Sequence, residues 1–278
     1  MKIAIQGLDG SYHSVAAKGI FGADIELVDG QIFSGVFDLV ENREVDYGVV
    51  AIENSIFGTI RQVYDLLASR DLFIVGEAYV KLEHVLAGTK GSSLDKLKII
   101  ESQKEAIAAC DEWVKSNAST LEIVYKRDTA ESLKDVAESG DIARSAIGSK
   151  STALMLGMDI LAENIADDSD TDTRFVVIGY SKETIHEAAN KASILLRLSD
   201  STTKGALLSA LQIIASLGVN ITKIESRPEP GKKWSYMFYM DLSLDSKKLQ
   251  SLIDELELIG STVDIIGTYQ AATDILSS

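Results

Sequence analysis

One cysteine, two prolines and three histidines are all that 278 residues contain of these types. The single thiol, Cys110, excludes an internal disulfide and fits a reducing compartment, so a cytoplasmic location is expected. It follows a run of Ala and Ile with helical periodicity and reads as a buried small hydrophobe, not a nucleophile. His13, His84, His186 and Cys110 have no transition-metal spacing, so no metal is expected. No apolar run approaches the ~20 residues that span a bilayer. Lys2 leads at once into Ile3-Ala4-Ile5 and Gly7, not into the apolar core of a signal peptide. Basic residues are also short: 27 Lys and Arg face 42 Asp and Glu, a net charge of −15. That argues against a nucleic-acid partner, which needs clustered cations, so none is expected. An anionic small molecule would have to be held against the global field by backbone N–H groups and one or two Arg or Lys.

Hydrophobic residues make up 46% of the chain and charged residues 25%, a globular composition long enough for two or three domains. The stretch Ser169 to Gly179 is the focus. Polar residues lead into Phe175-Val176-Val177-Ile178, a short β-branched run of buried-strand character. Thr173 and Arg174 then sit where a polar loop enters the core. A threonine offers a neutral donor there, and an arginine offers a planar fork for carboxylate or phosphate.

Read in order, Lys2–Ile5 is a strand, followed by a turn over Gly7 to Ser14 and a helix from Val15. Strand, Gly-rich turn and helix start form an anion-binding design. The spacing is neither GxGxxG nor a P-loop, so a carboxylate is expected before a nucleotide. A strand over Tyr47–Ile52 ends in Glu53-Asn54-Ser55, with Gly58-Thr59 beyond. Polar groups at the carboxyl end of a parallel strand are where open α/β sheets bind ligands, although Asn54 or Ser55 could equally cap a helix. Further strands are expected at Leu72–Ala78, Val80–Ala87, Leu97–Glu101, Leu121–Tyr125 and Ala143–Gly148, with a helix over Lys104–Lys115. Asp128-Thr129-Ala130 repeats the strand–turn–helix design. The alternation argues for α/β lobes with mostly parallel sheets and a cleft between them. Beyond a polar linker the order is strand, helix, strand, strand, helix, strand: the βαββαβ ferredoxin-like pattern.

These residues together resemble the prephenate dehydratase family. Gly205-Ala206-Leu207 and Glu225-Ser226-Arg227-Pro228 are similar to its C-terminal ACT domain. Thr173-Arg174-Phe175 resembles its Thr-Arg-Phe motif, and Ile52-Glu53-Asn54-Ser55 its Ile-Glu-Asn-Ser segment. Gly7 to His13 and Asp128-Thr129-Ala130 resemble two further turns. Leu8, Ser11 and Lys204 depart from the pattern, as does Ser102-Gln103, which replaces a usual His-Pro. No chorismate mutase helix precedes Lys2, so a monofunctional form is expected.

The resemblance implies an α/β fold with a two-lobed catalytic domain, like periplasmic binding proteins, at 1–180. Its lobes would be 1–78 with 166–180, and 79–165. A linker at 181–191 and a regulatory ACT domain at 192–270 complete the chain. It implies dehydration and decarboxylation of prephenate to phenylpyruvate with no cofactor, feedback by L-phenylalanine, and a homodimer or homotetramer. Thr173, Glu53 and Asn54 are the implied catalytic residues, with Thr173 on the leaving hydroxyl and Glu53 the competing proton donor. Ser11, Ser55, Thr129, Arg174 and Phe175 are the implied substrate contacts. Gly205, Ala206, Leu207, Glu225, Ser226, Arg227 and Pro228 are the implied phenylalanine contacts. Rival readings are an arogenate dehydratase, an inactive amino-acid sensor and a two-lobed solute receptor.

Overall fold

A computed structural model describes residues 1–168, 170–180, 189–198 and 203–276. The expected linker helix, with His186, falls largely on 181–188, outside the described residues, as does Ser169. Two compact units make up the chain. The first comprises Met1–Arg61, Ala78–Phe175 and the C-terminal residues from Asp274; the second comprises Gln62–Glu77 and Val176–Thr273. The division expected in chain order has its boundary near 180, whereas 62–77 groups with the C-terminal unit.

The chain opens with β1 (Lys2–Ile5), α1 (Tyr12–Phe21), β2 (Glu26–Asp29), α2 (Phe33–Glu41), β3 (Tyr47–Asn54) and β4 (Gly58–Thr59). Next come α3 (Arg61–Ser69), β5 (Phe73–Lys81), β6 (His84–Gly88) and β7 (Ile99–Ser102). They are followed by α4 (Lys104–Ala108), α5 (Asp111–Asn117), β8 (Glu122–Tyr125), α6 (Thr129–Ser139), β9 (Arg144–Ser149), α7 (Lys150–Met155), β10 (Asp159–Ala162) and β11 (Asp172–Gly179). The last stretch holds β12 (Lys191–Arg197), α8 (Ala206–Ser216), β13 (Asn220–Pro228), β14 (Tyr236–Ser243), α9 (Ser246–Leu258), β15 (Thr262–Tyr269) and β16 (Ile275–Leu276).

The first unit has two sheets. One runs in the order β11-β3-β1-β2, with β1 parallel to both β2 and β3 and β4 hairpinned onto β3. The other runs β10-β6-β9-β7-β8, parallel at β7 and antiparallel around β6. Both sheets are therefore mixed: β1–β2, β1–β3, β7–β8 and β7–β9 pair parallel, and β3–β4, β6–β9 and β6–β10 pair antiparallel. Helices cover both faces of the second sheet, and strand alternation shows how. Val85 and Ala87 pack with Leu133, Val136 and Ala153, while Leu86 faces the other way onto Ile107, Cys110 and Val114. Each buried Val, Leu or Ile among them contributes roughly 1.5–3 kcal/mol.

Local chemistry moves several boundaries. Helix α1 starts three residues before the expected Val15, because the Ser11 side chain accepts from the Ser14 N–H and caps it. The expected strand over Val80–Ala87 is two strands, broken where the Leu82 N–H bonds the Thr171 carbonyl and the chain crosses between sheets. The expected helix over Lys104–Lys115 is also two, broken at Cys110. That thiol is buried, and its pKa is pushed up to about 12 by desolvation and then by nearby Asp167, so it is inert as a nucleophile.

In the second unit the four ferredoxin-like strands run β13-β14-β12-β15, all antiparallel, over a core of Ile194, Leu196, Ile214, Met240, Leu242, Leu252 and Leu256. The start of β5 adds to the β15 edge at Ile74 and Gly267. No helix among the described residues is long and apolar enough to cross a membrane.

Candidate active site

A cavity of about 460 Å³ lies between the two sheets of the first unit. Thr171, Thr173 and Phe175 all line it at intervals of two, Thr171 just before β11 and the other two within it. A strand points alternate side chains to one face, so this spacing follows directly from β11 beginning at Asp172. Thr173 and Arg174 therefore lie inside a strand, not in the loop before it.

Asn54, at the end of β3, fixes how Thr173 can act. Its Oδ1 accepts from the backbone N–H groups of Ile56 (3.0 Å) and Phe57 (2.9 Å). Those donors set the amide orientation and aim Nδ2 at Thr173 Oγ1, 3.0 Å away. Asn54 donates and Thr173 accepts. One lone pair of the hydroxyl is thereby occupied, and its hydrogen is left to donate toward the cavity. Both side chains are buried.

Neighbours in sequence point elsewhere. Glu53 and Arg174 are absent from the cavity lining and approach each other instead, Nη1 to Oε2 at 3.8 Å. Alternation again explains it: each sits one residue from a lining side chain. Ser55 is exposed; its Oγ accepts from the Asp172 N–H at 3.1 Å and its own N–H donates to the Asp172 carbonyl at 2.9 Å. It ties β3 to β11 and does not line the cavity.

Two helix starts complete the wall. Ser11 lines it, with Oγ engaged in capping α1. Thr129 lines it at the start of α6, whose cap is Asp128, with Oδ1 accepting from the Glu131 N–H at 2.7 Å. Both caps fill N–H positions that the sequence suggested for a carboxylate. Gln103, at the departed His-Pro position, also lines the cavity. Arg127 is the cationic side chain of the described lining, facing Asp128 Oδ2 at 3.5 Å and Glu131 at 3.3 Å. Glu105 and Asp128 are the acidic ones.

Sequence reasoning missed Tyr12, His13 and His84 as wall residues. The Tyr12 hydroxyl lies 3.0 Å from His84 Nδ1 and 3.2 Å from the Glu83 carbonyl, a contact 72 positions apart that no local pattern signals. His13 Nε2 accepts from the Ala51 N–H, and its ring meets Phe175 edge-on at 5.0 Å. Thr171 was detectable, since it lies two residues before Thr173.

Burial pushes both imidazoles down to about 4, so both are neutral at neutral pH. For the deeply buried His84 this links pH to folding. Below pH 6.5 the unfolded chain takes up a proton that the folded chain refuses until about 4, so stability is full above 6.5 and falls toward 4. At about 1.4 kcal/mol per pH unit, the loss attributable to His84 is ~3 kcal/mol. Denaturant melts at pH 7.5 and 4.5 are expected to show a smaller acid loss in His84→Gln than in the wild type by this order. Equal losses would mean that His84 is protonated in the folded state.

The implied phenylalanine residues lie in the second unit. Gly205 adopts φ +85° at the start of α8, a conformation that favours glycine, and Leu207 packs on that unit's core. Glu225 to Pro228 are not a turn. They form the end of β13, which among the described residues is an edge strand paired with β14, where a proline is tolerated. Arg227 makes a forked ion pair with Asp65, 2.7 and 2.9 Å from Nη2.

Comparison with known proteins finds a matching family and several similar structures. The family model described as prephenate dehydratase matches residues 3–183. The prephenate dehydratase of Methanocaldococcus jannaschii is 36% identical over 236 residues, 84% of each chain. A solved structure described as prephenate dehydratase in complex with L-Phe, from Arthrobacter aurescens, has a TM-score of 0.87 at 26% identity, covering 97% of this chain and 90% of its own. Another, described as the quorum-quenching acylase GqqA, has a TM-score of 0.87 at 29% identity and covers 98% of both chains.

Proposed function

The chain belongs to the prephenate dehydratase family and is a carbon–oxygen lyase; from that premise we propose that the cavity of the first unit holds prephenate, with Thr173 on the leaving hydroxyl. The observation that carries this reading is the Asn54–Thr173 hydrogen bond, which leaves the threonine hydroxyl as a donor at the cavity wall.

The chemistry is a coupled fragmentation. The ring-to-carboxylate C–C bond breaks and CO2 departs. Its electron pair moves through the ring, which becomes aromatic, and the C–O bond breaks toward oxygen. The departing hydroxide takes a proton from solvent, which completes water. Aromatisation supplies the driving force, so the wall has only to orient the anion, keep water out and stabilise charge on the leaving oxygen. Threonine is a poor acid, and a preorganised hydrogen bond is the contribution it can make. Asn54 aims it. Arg127, Ser11 and Thr129 would meet the carboxylates, and Phe175 the ring. Glu53, Ser55 and Arg174 would act as supports of the wall, with Glu53 no longer favoured as a proton donor.

The C-terminal ferredoxin-like pattern is read as an ACT regulatory domain at 192–270 after a linker at 181–191, with catalytic lobes at 1–78 plus 166–180 and at 79–165. Feedback by phenylalanine is supported by the Arthrobacter aurescens relative, described in complex with L-Phe; in this reading Gly205–Leu207 and Glu225–Pro228 would hold the amino acid. A cytoplasmic homodimer or homotetramer completes the reading.

The lining charges favour a second substrate. One arginine stands against Glu105 and Asp128, which suits arogenate, whose ammonium offsets one carboxylate, better than a dianion. Parallel assays with prephenate and arogenate test both. Turnover of either, inhibited by added phenylalanine, is expected; no turnover of both would refute the assignment.

A further inference from the structure

Away from Thr173, the two sheets of the first unit meet at a second cluster whose role the proposed chemistry leaves unassigned. Gly10 precedes the α1 cap on the first-sheet side. Its carbonyl accepts from Thr152 Oγ1 of α7 at 2.5 Å. Ser149 and Ser151 hydroxyls also reach it, at 3.2 and 3.4 Å. A single assignment of hydrogens satisfies the group. Thr152 donates to Gly10, Ser149 donates to Thr152 Oγ1 at 2.7 Å, and the Thr152 N–H donates to Ser149 Oγ at 3.2 Å. Such a chain polarises each bond in turn.

Backbone geometry adapts Gly10 to this seat. Its φ is +87°, and a Cβ there would lie 3.1 Å from Thr152 Oγ1 and 3.3 Å from its Cα. A side chain there would be strained at this φ and would need its neighbours on α7 to give by a few tenths of an ångström.

The cluster is continuous with the cavity wall. Ser149 and His84 are register partners on β9 and β6. Tyr12, two residues after Gly10, reaches His84 and the Glu83 carbonyl. The segment 10–12 therefore bonds across the cleft at two adjacent points, and Ser11 between them lines the cavity.

We propose that Thr152, supported by Ser149, is a positioning residue for the lyase reaction: its hydroxyl holds the Gly10–Tyr12 segment against the second sheet and so keeps the substrate-binding form of the cleft populated. This rests on the cavity being the active site. Thr152 touches no reacting atom, so its loss lowers the competent fraction, and apparent affinity falls by that fraction.

Thr152→Val removes the hydroxyl at nearly constant volume, and Thr152→Ser restores it. With prephenate or arogenate, whichever the wild type turns over, Thr152→Val is expected to raise KM about tenfold and to leave kcat within about threefold. Thr152→Ser is expected to stay within about threefold of wild type in both. Amide hydrogen exchange over residues 8–12 is expected to quicken in Thr152→Val and not in Thr152→Ser. Unchanged KM and exchange in Thr152→Val would overturn the proposal, as would a serine variant as impaired as the valine one. A wild type inactive on both substrates, with exchange responding as expected, would refute the active-site reading while leaving the contact's structural part standing.

Discussion

Thr173→Ala is expected to lower kcat by 10²–10³, equivalent to ~3–4 kcal/mol of transition-state stabilisation, the amount one preorganised donor supplies in a water-poor site. The argument is geometric. Backbone donors hold Asn54 Oδ1, so Nδ2 faces Thr173, and the threonine hydrogen has nowhere better to go than the cavity. The hydrogen bond strengthens only as negative charge builds on the departing oxygen, so the loss falls on kcat more than on KM. Alanine also leaves the Asn54 N–H without its partner, which costs roughly 1–3 kcal/mol of stability. Urea melts run beside the kinetics separate the two effects: an active-site role predicts a large rate loss in a folded protein.

The largest effect on stability is expected in the second unit. Lys191 Nζ meets both oxygens of Glu77, at 2.8 and 3.0 Å, with both side chains almost wholly buried. The lysine also lies 5.9 Å from the Tyr269 ring centroid. Glu77 accepts the Ala272 N–H as well. Lys191→Met would strand a carboxylate away from water, at a cost of about 3–5 kcal/mol. The double change Glu77→Leu with Lys191→Met should recover most of that, because desolvation of two charges offsets much of their attraction. Denaturant unfolding of the two variants beside the wild type measures both effects. A single-variant loss below about 1 kcal/mol would mean that the pair is hydrated.

Much of this architecture was legible in the residues. β-Branched runs and Gly-rich turns gave the strand–helix alternation, and the βαββαβ order of the C-terminal part came from periodicity alone. Which member of an adjacent pair faces the cavity was not legible. Thr173 against Arg174, and Asn54 against Glu53, depend on where β11 and β3 begin, and one residue of register swaps the faces. Arg174 drew attention as a cation for the substrate, yet it approaches Glu53. The helix break at Cys110 and the strand break at Leu82 were hidden because neither carries a Gly or Pro to mark it. The grouping of 62–77 with the C-terminal unit goes with contacts far apart in sequence, Ile74 with Gly267, Asp65 with Arg227 and Glu77 with Lys191, that composition cannot encode. Tyr12 with His84, and Gly10 with Thr152, were invisible for the same reason.

The departed Ser102-Gln103 pair shows how a motif difference can be absorbed. Ser102 turns inward and donates to the Ile147 carbonyl at 2.7 Å, while Gln103 keeps a polar group on the cavity wall. The wall therefore keeps hydrogen-bonding capacity without the usual His-Pro.

At the centre of the account is a hydroxyl hydrogen directed from residue 173 into the cavity. Comparing Thr173→Ser with Thr173→Val, at saturating substrate, tests it most directly, since both variants stay close to the size of threonine and only one keeps the donor. The account predicts that serine retains kcat within about tenfold and that valine falls as far as alanine, by 10²–10³. A valine variant turning over at the wild-type rate, or a serine variant as slow as the valine one, would contradict it.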